Sequence, residues 1–147
     1  MTSPKDNSET IHDNPTGWVS RHIAEYVETE GREGHRWSGV DTLLLITKGR
    51  KTGKLRRTAL IYGVDGSNYV VVGSRGGHRN HPAWCLNLAA NPEVRIQVGS
   101  NRYEGVARTA SGEERSRLWK KMSAIWPQYN EYQKKTDREI PVVVITV

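Results

Sequence analysis

The apolar positions of the chain fall into short runs separated by glycine, asparagine and proline, and the spacing within each run sets the expected element. Trp18, Val19, Ile23, Tyr26 and Val27 recur at helical spacing between Pro15 and Glu30, and Pro15 suits a helix start. Segment 31–39, rich in glycine and charge, reads as a loop. Leu43–Thr47 is one continuous apolar run, expected as a buried strand. Thr58–Val64 and Tyr69–Ser74 flank the turn signal Asp65-Gly66-Ser67-Asn68, so 58–74 is expected as a hairpin. Ala83–Ala90 reads as a short helix stopped by Asn91-Pro92. Val94–Val98 alternates, and the turn at 99–101 leads it into Arg102–Thr109 as a second hairpin. Ser111 and Glu114 have the spacing of a capping box and predict a helix to about Trp126, where Pro127 breaks it. A second helical piece, Gln128–Lys135, and a last strand after Pro141 complete the chain.

The count is about six strands and three or four helices. The strands come as hairpins rather than alternating with helices. That predicts an α+β fold, an antiparallel sheet or small barrel with helices packed outside. The polar segment 1–16, with Pro4 and Pro15, is expected to be a disordered tail, leaving 17–147 as one domain. Cys85 is the single cysteine, which excludes an intramolecular disulfide and a zinc site of several thiolates. No apolar run approaches the roughly 18 residues that span a bilayer, and the N-terminus lacks a signal-peptide stretch. A cytoplasmic protein is the expectation.

Charge changes the picture. The net charge is +6, from 22 basic and 16 acidic residues. Residues 48–81 hold eight of the cations (Lys48, Arg50, Lys51, Lys54, Arg56, Arg57, Arg75 and Arg79) and a single acid, Asp65, so the window carries +7 and the remainder −1. Such a concentrated field attracts an anion, whether a phosphorylated cofactor, a nucleic acid or an anionic membrane. Within the window, Gly49 and Gly53 free the backbone to offer N–H groups to phosphate, and arginines add bidentate donors. Ser74-Arg75-Gly76-Gly77 ends a strand where a planar ligand can approach the backbone. Trp84 and Leu88 share a helix face and suit core packing, Asn87 suits a hydrogen bond to a ligand or loop, and Cys85 suits a packed small side chain. Tyr129 and Tyr132 lie three apart on one helical face. The five histidines lack metal-ligand spacing, and no metal is expected. Dinucleotide and Walker loops are absent.

In order, GRKTGKLRR, YVVVGSRGG, NHPAWCLNLAANPEV and WPQYNEYQKKTDREIPVVV resemble the deazaflavin-dependent nitroreductase family over about residues 36–147. The resemblance implies a split β-barrel of the flavin-reductase kind. It also implies 8-hydroxy-5-deazaflavin (coenzyme F-420) as cofactor, with hydride transfer to a quinone, nitroaromatic or similar small-molecule acceptor. By position, it implies Arg50, Lys51 and Arg56 at the cofactor's phosphate and acidic tail, with Thr52 and Gly53 shaping the loop. Arg57, Ser74, Arg75, Gly76, Gly77, Trp84 and Asn87 complete the expected cofactor-binding set; Arg75 replaces a family lysine, and His81 stands where the family has asparagine. Tyr129, Tyr132 and Ser74 are the expected catalytic residues, orienting the acceptor or donating a proton. Two alternatives remain at this level: a nucleic-acid-binding basic module, and an FMN-dependent reductase on the same barrel. The basic loop has no aromatic residues among its cations, which weighs against nucleic acid. The N-terminal helix is expected to pack on the barrel rather than form a weak membrane contact, because it carries acids as well as bases.

Overall fold

A computed structural model describes residues 10–147. Nine strands form it: β1 (Ile11–Asp13), β2 (Arg36–Trp37), β3 (Val40–Lys48), β4 (Leu55–Ile61), β5 (Gly63–Asp65), β6 (Asn68–Val72), β7 (Glu93–Val98), β8 (Asn101–Thr109) and β9 (Val142–Thr146). Four α-helices accompany them: α1 (Gly17–Thr29), α2 (Ala83–Ala90), α3 (Gly112–Ile125) and α4 (Gln128–Lys134). A 3-10 turn covers Arg75–Gly77.

The sheet runs β1-β4-β3-β7-β8-β9-β6-β5, with β2 paired to β3. Every pair is antiparallel except β1 with β4. β4 and β6 approach each other across the ends of this path without a ladder, so the curled sheet is split along that seam. This is the expected α+β architecture.

Side-chain alternation along each strand feeds three cores. Leu43, Leu45, Val71, Val94, Ile96, Val143 and Ile145 point inside. The intervening Val70, Val72, Val142 and Val144 point outward, under Leu118 and Met122 of α3 and Tyr129 of α4. Leu44 points outward under Val19, Ile23 and Tyr26 of α1. Strands buried on both faces need apolar residues at consecutive positions, which is why they read as LLL and VVV rather than as alternation. Burying such side chains contributes about 1.5–3 kcal/mol each.

Four sequence expectations are corrected. The expected disordered tail of residues 1–16 is ordered where it is described. Ile11–Asp13 form β1 on the edge of β4, and the Asn14 backbone nitrogen donates to the Arg57 carbonyl at 2.9 Å. Residues 1–9 lie outside the described residues. The expected 58–74 hairpin breaks at Tyr62. β4 pairs with β3, and only β5 returns along β6. Just past the break α3 packs closely on the strand: a side chain on Gly63 would meet Met122 Sδ at 2.6 Å. The capping box is not formed. Ser111 makes no side-chain cap bond, and Glu114 instead accepts from both terminal nitrogens of Arg108, at 2.6 and 2.8 Å. Finally, α2 is not an outer helix. Its Trp84, Cys85 and Leu88 belong to the interior cluster and close one mouth of the barrel.

Candidate functional site

The turn between β3 and β4 carries the basic loop. Gly49 N–H donates to the Lys54 carbonyl at 2.7 Å, and Gly53 N–H donates to the Gly49 carbonyl at 2.8 Å. Lys54 N–H donates to Thr52 Oγ1 at 3.2 Å. Gly53 sits at φ 72°, a conformation that favours glycine. Thr52 and Gly53 therefore shape the loop, and Lys51, Lys54 and Arg56 project exposed side chains from it.

Asn87, buried on α2, fastens this loop to the barrel mouth. Its Oδ1 accepts from Arg50 N at 3.2 Å and from Arg50 Nη1 at 3.3 Å. Its Nδ2 donates to the buried Thr47 Oγ1 at 3.2 Å. Asn87 thus binds the neighbouring loop, one of the two roles its position suggested. Trp84, one turn earlier on α2, is buried among interior residues. Arg57 is engaged elsewhere. Its Nε donates to Asp13 Oδ1 at 2.6 Å and its Nη2 to Asp13 Oδ2 at 3.2 Å, tying β1 to β4.

Ser74–Gly77 follows β6 and lies against α4. Arg75, Gly76 and Gly77 adopt φ of 45°, 60° and 83°, three left-handed residues in succession. Glycine is required at 77, because a Cβ would lie 2.6 Å from the Tyr132 carbonyl oxygen. The fold therefore brings Gly77, at the end of this segment, against the backbone of Tyr132, which is half-buried. Tyr129, one turn back, is 4% exposed, and burial holds its phenol well above the ordinary tyrosine range. Its ring meets that of Tyr132 edge to face at 6.3 Å.

Cys85 is enclosed under Gly73, where an added Cβ would lie 2.5 Å from its Sγ. Burial pushes this thiol up to about 12, against the opposing influence of Arg138, so it serves as a packed apolar side chain. Sequence reasoning missed Arg138. It sits between α4 and β9, yet its guanidinium reaches the Ser74 carbonyl at 2.7 Å. The only sequence signal was an arginine within the matched motif. Also missed was a chain at the opposite barrel end. There, Tyr26 Oη is 3.3 Å from His35 Nδ1, and Tyr62 Oη is 3.4 Å from His35 Nε2.

The electrostatics single out the basic loop. Among the described residues, only Arg57 of the eight window cations has a carboxylate partner. The window's own acid, Asp65, lies at the opposite end of β6 and is taken by Arg117 at 2.8 Å and Lys121 at 3.5 Å. Hydrogen bonds from Arg117 hold its carboxyl at about 2. Elsewhere, Arg36, Arg108 and Arg115 each pair with an acid. Among the described residues, Lys51, Lys54 and Arg56 have no such counter-charge, and the Arg50 side chain bonds to the neutral Asn87. This donor set fits a phosphodiester with an acidic tail. No group of three or more His, Cys, Asp or Glu among the described residues is placed to hold a metal.

The profile of the family F420H(2)-dependent quinone reductase matches residues 18–147. The chain is 40% identical over 142 residues to an F420H(2)-dependent quinone reductase of Mycobacterium tuberculosis (strain ATCC 25618 / H37Rv), covering 88% of this chain and 95% of that one. It is similar to a solved structure of an F420-H2 dependent reductase (FDR-A), with TM-score 0.67 and 40% identity over 71% of this chain and 93% of that one. A structure described as a domain-swapped dimer matches with TM-score 0.70 and 36% identity, covering 90% of this chain and 100% of that one. The chain therefore belongs to the F420H(2)-dependent quinone reductase family and is a deazaflavin-dependent oxidoreductase.

Proposed function

We propose that the chain reduces quinones with coenzyme F-420, and that nitroaromatics form a second class of acceptor at the same site. When bound, the reduced coenzyme supplies a hydride from C5 of its deazaflavin ring. The protein's part is binding, orientation and shielding, because the cofactor carries the hard chemistry. Arg50, Lys51 and Arg56 hold the phosphate and acidic tail, and Thr52 and Gly53 set the loop's shape. Arg75 and the Gly76–Gly77 backbone border the ring, and Asn87 and Trp84 support the site from beneath. Ser74 and Tyr132 orient the acceptor and offer hydrogen bonds to the oxygen on which negative charge develops. Tyr129 contributes by packing under Tyr132. The observation that carries the reading is the cluster of cations without carboxylate partners among the described residues, fastened through Asn87 to α2. The single, buried Cys85 supports a cytoplasmic protein.

The test mixes the protein with reduced coenzyme and a panel of quinones and nitroaromatics and follows coenzyme reoxidation. Acceptor-dependent oxidation is expected, fastest with quinones. Absence of oxidation with every quinone sinks the reading.

A further inference from the structure

Arg138 uses one guanidinium to hold both sides of the left-handed segment. Nε donates to the His78 carbonyl at 2.7 Å, and Nη2 donates to the Ser74 carbonyl at 2.7 Å. Nη1 donates to the Gly73 carbonyl at 3.1 Å and to His81 Nδ1 at 2.9 Å. These acceptors bracket Arg75–Gly77, where Arg75 takes a positive φ that residues with side chains avoid. Such a conformation persists only when its surroundings over-determine it. Arg138 has no carboxylate partner among the described residues, so its donors serve loop geometry rather than charge neutralisation. Donation to Nδ1 also requires that His81 carry its proton on Nε2. A planar fork can span carbonyls on both flanks of the loop, whereas an ammonium is a point charge.

We propose that Arg138 is a positioning residue for the cofactor cradle: it splints Gly73–His81 so that Arg75 and the Gly76–Gly77 backbone keep the conformation that meets the deazaflavin. The proposal rests on reading this site as the F-420 pocket.

Amide hydrogen exchange and coenzyme F-420 titration of the wild type, Arg138→Lys and Arg138→Ala test it, with free guanidinium ion added to the alanine variant. The Gly77 and His78 amides, bonded to the Ser74 and Arg75 carbonyls, are expected to exchange about tenfold faster in both variants. The β7–β8 hairpin is expected to be unchanged, and coenzyme Kd to rise about tenfold. Guanidinium is expected to restore both readouts in Arg138→Ala. Unchanged exchange at Gly77 and His78 overturns the splint. Faster exchange with unchanged affinity overturns the positioning role, because the loop would then be held for stability alone. Acceleration that extends to β7–β8 in both variants also overturns it, as general destabilisation. If the wild type binds no coenzyme, the functional reading falls, and the exchange data still decide the splint.

Discussion

The carboxamide oxygen of Asn87 lies 3.2 Å from the backbone nitrogen of Arg50 and 3.3 Å from its guanidinium. One buried side chain on α2 thereby sets both the backbone and the side chain of the first cation in the basic loop. Asn87→Ala leaves the Arg50 amide and the buried Thr47 hydroxyl without these partners. It is expected to destabilise the fold by about 1–3 kcal/mol and to weaken coenzyme binding. Denaturant unfolding and fluorescence titration check the two effects separately.

Lys51 and Arg56 are exposed and have no carboxylate partner among the described residues. Lys51→Glu and Arg56→Glu are each expected to raise coenzyme Kd by about tenfold or more, since they replace attraction with repulsion at an anion site. Stability should stay within about 0.5 kcal/mol. Wild-type affinity should fall as salt is added, because exposed charges are screened.

Arg57 sits in the same sequence cluster but answers to Asp13 at 2.6 Å. Arg57→Ala is expected to loosen β1 and destabilise by about 1–2 kcal/mol, between the values for exposed and buried pairs. Coenzyme Kd should change by less than about twofold. A large loss of affinity with unchanged stability would return Arg57 to the cofactor-binding set.

Asp65 ties the β5–β6 turn to α3 through Arg117 and Lys121. Hydrogen bonding from Arg117 lowers its carboxyl from 3.8 to about 2. A carboxyl held low in the folded state stabilises it above the unfolded-state value and loses that contribution as pH falls through the folded-state value. Asp65→Asn should therefore lower Tm at neutral pH. The difference from wild type should shrink between pH 3.8 and about 2. Thermal melts of both proteins across that window check it.

The sequence by itself determined most of the elements and where the positive charge is concentrated. Periodicity is a local property, so Ile23 and Tyr26 on a helix, the LLL and VVV runs and the 99–101 turn were all legible from neighbouring residues. Charge is additive, so the +7 of residues 48–81 was legible without any coordinates. The matched motifs then pointed to the family. Only the tertiary structure decided which cations are paired, because pairing depends on distance through space. Asp13 lies 44 positions from Arg57 yet withdraws it from the cluster, and Asp65 leaves its own window for Arg117, 52 positions away. For the same reason the sequence did not show that Met122 packs on Gly63, or that Glu114 turns to Arg108 rather than closing a cap. Arg138 holds Ser74 across 64 positions of chain, a contact that no local pattern encodes.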